Sequence, residues 1–285
     1  MSELGVTVGY ICADVAARVS CEVSLDEEHT PLPQQEHDSN CYTFGKIGSH
    51  KVAICSPWDE VSCESSVADM MFSFPSIKLL VLVNSKAGAV PRAVGEVVRV
   101  GDVVIAQKLA KWDCNGDLVE MGLSQASGLP ATADMITGRQ WSLKEDIKEL
   151  ILNNKKWAKQ CKRPIGEDID KLDEIIGPRD EPDSVAYRDG LVISNNTYPE
   201  NAISRDSIAD PETFQSASVV CFDHGQTAGL QLRGQWLNVD AVSVLGVSNY
   251  CDEDSKKDRS KWKGYSSMAA AACARKIVRG LVTET

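Results

Sequence analysis

Histidine, aromatic residues, basic charge and long apolar runs are all in short supply in this chain, and each shortage closes off a class of protein. Four histidines in 285 residues, and no CxxC pair among ten cysteines, leave no clustered ligand set for a metal. No cofactor is therefore expected. No stretch approaches the roughly 20 consecutive apolar residues that cross a bilayer, so no membrane association is expected. The opening MSELGVTVGYICADVAARVS has no basic region ahead of an apolar core, unlike a secretory leader. Basic residues number 30 against 41 acidic ones, a formal net charge of -11. Such a surface repels a phosphate backbone at long range, which argues against a nucleic-acid partner. An anionic ligand in a locally prepared pocket stays compatible with it.

Aromatics make up 6% of the chain, while hydrophobic residues make up 43%. Small and branched apolar residues thus carry the core, which suits an α/β protein better than a disulfide scaffold. Cys12, Cys55, Cys221 and Cys251 lie in or beside apolar runs. They read as free, buried thiols of a reducing compartment, and a cytoplasmic location is expected.

Strand-like and helix-like segments alternate. Val6 to Cys12 reads as a core strand, followed by helix to about Glu28 and a polar loop, TPLPQQEHDSN. Residues 41–46 and 51–55 read as two strands of a hairpin joined by IGSH. Residues 65–74 read as a helix, and IKLLVLV as a strand ending at NSKAGAVP. Further strands are expected in VVIA, GLVIS, SVVCF and AVSVLGVS. This order predicts a single α/β domain over residues 1–285 with a mixed, barrel-like central sheet flanked by helices. Residues 142–183 form a charged helical insertion or loop within it: either a surface helix with an exposed loop, or a lid or dimer arm. The alanine-rich WKGYSSMAAAACARKIVRGLV predicts a long final helix, with basic residues late where they complement the helix dipole.

The order of these motifs resembles the purine and uridine phosphorylase superfamily, in particular its fungal branch. The resemblance runs from TVGYICADVAARVSCEVSLDEEH through YTFGKIGSHKVAICSPW, FPSIKLLVLVNSKAGAVPRAV and VRVGDVVIA. It continues through GLVISNN, ISRDSIAD, CFDHGQTAGL, LGVSNYCDED and KWKGYSSMAAAACARKIV. It implies one α/β domain, a homo-oligomer (dimer or higher), a small-molecule substrate, and cleavage of an N-glycosidic bond by phosphate or water.

The departures from that family fall on its chemistry. A first-helix glutamate is replaced by Ala17. A glycine-rich turn becomes Ser85, Lys86, Ala87, Gly88, Ala89, Val90 and Pro91, and each lost glycine adds a Cβ where backbone should approach a ligand. Lys86 either compensates with charge or is an exposed structural lysine. The ribose-binding glutamate becomes Gln226, a preceding methionine becomes Gly225, and His224 stands where the first glutamate of the motif is expected. His224 faces the pocket or satisfies a core contact. Leu245 replaces a phosphate-binding arginine, and Asn249 replaces the acid that protonates the leaving base, which an amide cannot do. Arg205 and Asp206 are retained. Asp252 and Asp254 are candidate acids or simply part of a solvated loop.

These losses favour a reused pocket acting on a small, largely apolar metabolite without phosphate, by cyclisation or isomerisation. His224, Asn249, Gln226 and Asp223 are then the candidate catalytic groups. Ser85, Lys86, Gly88, Ser194, Arg205, Gly225 and Leu245 are the candidate binding positions. Two alternatives stand beside this reading: nucleoside phosphorolysis or hydrolysis, and noncatalytic binding.

Overall fold

A computed structural model describes residues 5–56, 63–91, 97–106, 108–112, 117–121, 140–157, 159–165, 170–172, 184–187, 190–196, 199–210 and 218–281. The chain opens with strand β1 (Val6–Cys12), and Asp14 then caps helix α1 (Val15–Val23). Asp14 Oδ1 accepts from the amides of Ala16 and Ala17 at 2.8 and 3.1 Å, satisfying two donors that a helix start leaves open. The helix stops earlier than the sequence predicts. Ser24 closes it, its hydroxyl donating to the Cys21 carbonyl, and Glu27–His29 forms a short strand, β2. That strand pairs antiparallel with β3 (Thr43–Ile47), which turns through Gly48 into β4 (His50–Cys55), the expected hairpin.

Helix α2 (Cys63–Ser73) buries Cys63, Ser66, Val67, Met70 and Ser73, one stripe at helical spacing. Strand β5 (Leu79–Ala89) follows. The sequence predicts a strand ending near Val83 and then a turn; instead the chain stays extended through SKAGA. Its first half pairs parallel with both β1 and β13 (Asp240–Asn249), while Gly88 and Ala89 pair antiparallel with β12 (Val219–Asp223). One strand thus joins three others, and this branching curls the sheet.

The remaining strands are β6 (Val103–Ile105), β7 (Lys108–Trp112), β8 (Leu118–Met121), β9 (Gln140–Ser142), β10 (Val185–Tyr187) and β11 (Leu191–Ser194). Strand β11 lies parallel to β12 and β7, and β13 pairs antiparallel with β6. Among the described residues the sheet is mixed and has 13 strands in the order β2-β3-β4-β1-β5-β12-β11-β7-β8, with β13, β6, β10 and β9 branching from β5. Helices cover both faces: α3 (Lys144–Asn153), α4 (Ala202–Ile208), α5 (Gln226–Leu237) and α6 (Ser255–Arg279) complete the set described.

Helix α6 is the inner pillar. Residues 269–274 are buried to 1% exposure or less, and the helix lies against β13 and β5. Alanine permits a close approach, and Gly246 on β13 completes it. A Cβ there would meet the Ser266 carbonyl oxygen at 2.3 Å. The main core gathers Val81, Val83, Val103, Leu109, Val244 and Leu245 with these alanines. Each such branched side chain, fully buried, stabilises the fold by about 1.5–3 kcal/mol. Of the cysteines, the nine described are free thiols; eight are buried and Cys41 is exposed. Among the described residues no helix is long and apolar enough to cross a membrane.

In the charged region, α3 covers Lys144–Asn153. Asp146 pairs with Lys276, and Glu149 pairs with Arg275 and Arg279 of α6. Residues 158, 166–169 and 173–183 of that region lie outside the described residues.

Candidate functional site

The carboxyl ends of β1, β11 and β12, the middle of β5 and the N-termini of α2 and α5 converge on one pocket of about 510 Å³. Ala13 follows β1, Asn84 and Lys86 come from β5, Cys63 and Glu64 open α2, and Asn196 follows β11. His224, Gly225, Gln226 and Gly229 come from the start of α5, and Arg259 from the second turn of α6. Strand alternation explains the β5 contribution: Asn84 and Lys86 share one face, while Ser85 lies on the other. Asn84 is 1% exposed, and its Oδ1 accepts from the Lys86 amide at 2.8 Å. Gly229 makes room for α2. A Cβ there would stand 3.2 Å from both Cys63 Sγ and Glu64 Cγ. The Cys63 thiol donates to the Gln226 carbonyl at 3.0 Å, joining the two helix starts. Burial, with the Asp223 and Glu64 carboxylates nearby, pushes this thiol up to about 12, so it stays protonated and a poor nucleophile.

A smaller cavity of about 130 Å³ shares His224 and Arg259 with the first. Pro199, Glu200, Asp252, Glu253, Ser255 and Lys256 complete its wall.

The residues singled out from sequence divide into two groups. Lys86, His224, Gly225 and Gln226 line the main pocket. The others are buried in hydrogen bonds that build the scaffold. Asp223 is 1% exposed, and its Oδ1 accepts from Ser194 Oγ at 2.5 Å and from the Gly225 amide at 2.8 Å. Its Oδ2 accepts from the Thr227 amide at 3.1 Å and from the Thr227 hydroxyl. Ser194 Oγ in turn accepts from the Ala228 amide at 3.0 Å. Burial raises the Asp223 carboxyl above its ordinary value, and these donors oppose the rise. Together Asp223 and Ser194 cap α5 from beneath.

Asn249 is fully buried; its amide nitrogen donates to the Ala87 carbonyl at 3.3 Å and its oxygen accepts from the Cys251 amide at 2.9 Å. Ser85 Oγ donates to Asp14 Oδ2 at 2.6 Å, tying β5 to the α1 cap. Gly88 pairs with Phe222, and Leu245 and Ala17 are core residues at 0% exposure. Arg205, named from sequence as a binding position, donates from Nη1 to the Tyr250 carbonyl at 2.8 Å, and its Nε pairs with Asp206 at 2.7 Å.

Gly225 is the one site glycine whose backbone needs glycine. Its φ is +78, and a Cβ would meet Asn196 Oδ1 at 2.6 Å. Sequence reasoning missed Cys63, Glu64, Asn84, Asn196 and Arg259. Glu64 opens a helix, and Arg259 lies in a charged run that reads as solvated, so neither has a motif to mark it. The lining is more polar than the expectation of a largely apolar ligand implies. Glu64, Lys86 and Arg259 bring charge, and Asn84, Asn196 and Gln226 bring primary amides, where Leu245 and Gly225 alone had implied an apolar, roomier wall. Among the described residues no group of three or more His, Cys, Asp or Glu side chains is arranged to hold a metal.

Known structures share this architecture. The futalosine hydrolase of Helicobacter pylori strain 26695 superposes with a TM-score of 0.61 at 11% identity, over 98% of this chain and 100% of that one. A 5'-methylthioadenosine/S-adenosylhomocysteine nucleosidase from S. pneumoniae, held with a transition-state inhibitor, gives 0.62 at 17% identity over 96% and 99%. The corresponding nucleosidase from Neisseria meningitidis, with methylthio-immucillin-A, gives 0.61 at 14% over 96% and 99%. The chain therefore has the α/β fold of the nucleoside phosphorylases and nucleosidases, as the order of its motifs implies. No protein-family model matches the sequence. A "Nucleotide-binding leucine-rich repeat (NLR)-like protein" of Hyaloscypha variabilis is 26% identical over 307 residues, which take in 94% of this chain. The chain spans 29% of that relative's length.

Proposed function

We propose that this pocket binds a small, polar, hydroxyl-bearing ligand and that the chain acts on it without phosphate, by hydrolytic cleavage of an N-glycosidic bond. The observation that carries this is the lining: a carboxylate (Glu64), an imidazole (His224) and three primary amides (Asn84, Asn196, Gln226) in one cavity. Cleavage of an N-glycoside builds positive charge on the sugar and negative charge on the departing base. A carboxylate stabilises the first and takes a proton from water, while an imidazolium hands a proton to the second. The amides suit sugar hydroxyls. The nucleosidases that share the fold act on 5'-methylthioadenosine and S-adenosylhomocysteine by name, which makes purine nucleosides and their thioethers the first compounds to try. Fold alone does not carry the activity.

Water is favoured over phosphate as acceptor. The glycine-rich turn is strand here, with its backbone paired to β13 and β12, and Leu245 is buried in the core. An isomerisation or cyclisation reading keeps one supporting observation. Asn249 and Asp223, at the ends of the strands, are bound to backbone and neighbouring hydroxyls, so among the described residues no aspartic acid lines the main pocket to serve a leaving base. The two readings separate by mass. The chain is incubated with 5'-methylthioadenosine, futalosine, adenosine and inosine, with and without phosphate, and free base is read by mass spectrometry. Base release at the same rate with and without phosphate, lost about 100-fold in Glu64→Gln, is the expected result. No base release from any of them sinks the hydrolytic reading. A ligand converted at equal mass favours isomerisation.

A further inference from the structure

The turn that joins β13 to α6, residues 250–254, is held by groups distant in sequence. Cys251 takes a left-handed backbone with φ of +53, uncommon for a residue with a side chain, and its amide is caught by Asn249. The Tyr250 hydroxyl donates to Asp170 Oδ1 and accepts from the Val100 amide at 3.1 Å. Asp170 Oδ1 also accepts from the Leu172 amide at 3.0 Å, which fixes the next residue, Lys171. Lys171 Nζ reaches Asp252 Oδ2 at 3.3 Å, Asp254 Oδ2 at 3.0 Å and Asp258 Oδ2 at 3.0 Å.

The other side of the same turn is the site. Asp252, Glu253 and Ser255 line the smaller cavity, and Arg259, one helical turn further on, lines both. We infer that Asp170 and Lys171 are positioning residues: they clamp the start of α6 so that Arg259 and the wall of the smaller cavity stand where a ligand meets them. The inference rests on reading the pocket as the functional site.

A single exposed ion pair is worth little. This one differs in arrangement. One ammonium faces three carboxylates, and the side chains of Asp252 and Asp258 are only 16% and 13% exposed. Burial opposes the charge on Lys171, yet the Asp258 and Asp254 carboxylates outweigh it and push the ammonium up to about 12. Removing the ammonium leaves three like charges on one turn, two of them short of water. The turn relieves that repulsion by opening, and a left-handed residue at its centre gives it little reason to stay closed.

Hydrogen exchange and thiol labelling on the full chain test this with no ligand present. Lys171→Ala is expected to speed amide exchange in residues 249–259 about tenfold. It is expected to speed alkylation of the buried Cys251 by iodoacetamide by a similar factor, while labelling of Cys12 and Cys221 holds. Lys171→Arg keeps the charge and restores both rates. Should Lys171→Ala fail to accumulate, Lys171→Gln removes the charge while keeping a hydrogen-bond donor, with the same expectation. Wild-type exchange in 249–259 overturns the clamp, and so does loss of protection spread through β1 and β5, which would mean a purely global role. Because neither readout involves a substrate, their failure leaves the proposed hydrolysis standing, and absence of base release leaves the clamp standing.

Discussion

Two groups of polar residues meet at the carboxyl ends of the central strands, and they differ in what they are bonded to. The lower group, Asp223, Ser194, Ser85 and Asn249, is buried to 1% exposure or less and holds backbone amides, carbonyls and a helix cap. The upper group, Glu64, Lys86, His224, Gln226 and Arg259, is half-buried and walls a cavity. Asp223 and His224 are adjacent in sequence, as are Ser85 and Lys86, yet one of each pair is bonded into the scaffold and the other lines the cavity.

The largest expected effect falls on the lower group. Asp223→Ala removes the acceptor of two hydroxyls and two amides in a site without water access. Buried donors left unsatisfied cost about 1–3 kcal/mol each, so a loss of at least about 3 kcal/mol is expected, read as a large fall in the urea midpoint. Asp223→Asn, which keeps one acceptor, should recover part of it. If Asp223→Ala melts like wild type but loses ligand binding, the division between the two groups is wrong.

Gly225 stands on the boundary, and its substitution sharpens the comparison. With φ of +78 and Asn196 Oδ1 at 2.6 Å from the position of a Cβ, Gly225→Ala strains the backbone and pushes on a pocket residue at once. About 1–2 kcal/mol of stability should go, together with a change in ligand affinity that Asn196→Ala partly reverses. Equal stability with unaltered binding would show that the turn relaxes freely.

The upper group should behave oppositely to Asp223. Glu64→Gln and Arg259→Met change half-buried groups and are expected to move stability by less than about 1 kcal/mol. They should nevertheless abolish whatever turnover the substrate screen finds. Comparable losses of stability in both groups would erase the distinction.

Much of the scaffold was legible in sequence, for physical reasons that also mark the limits. Val6–Cys12, the hairpin at Gly48 and the alanine-rich α6 carry strong local signals: branched apolar runs, a turn glycine and high helix propensity. The short strands β7, β9 and β10 carry little such signal, because β7 pairs with β11, β10 with β6, and β9 with β10, all from distant segments. The extension of β5 through SKAGA was hidden for the same reason: small residues there look like a turn until β12 and β13 supply partners. At the site, the motif around residue 224 led to His224 and Gln226. Glu64 and Arg259 are brought in by tertiary packing of α2 and α6, which no spacing rule encodes. Asp252 and Asp254 read as candidate acids or part of a solvated loop; Asp254 is exposed, and the pairing of both with the distant Lys171 has no local signal.

The smallest effect expected lies far from the pocket and serves as a control on the comparison. Partial burial works against the charge on Asp26, but the Gly48 amide and the guanidinium groups of Arg275 and Arg279 outweigh it and hold the carboxyl down to about 2. Arg275 and Arg279 both reach its Oδ1, at 2.7 and 2.6 Å, which ties the edge of the sheet to the end of α6. The folded value lies below the ordinary unfolded value of about 3.9. The stabilisation is therefore complete above that unfolded value and disappears as pH falls from about 4 toward about 2. Asp26→Asn should lower the melting temperature slightly at pH 7 and flatten its acid dependence across that window. Ligand binding should stay unchanged, because the network lies at the opposite end of α6 from Arg259. A steep acid dependence that survives in Asp26→Asn would place the acid sensitivity elsewhere. A loss of binding would mean that strain at one end of α6 is transmitted along the helix to the pocket, and that scaffold and site are less separable than their hydrogen bonds imply.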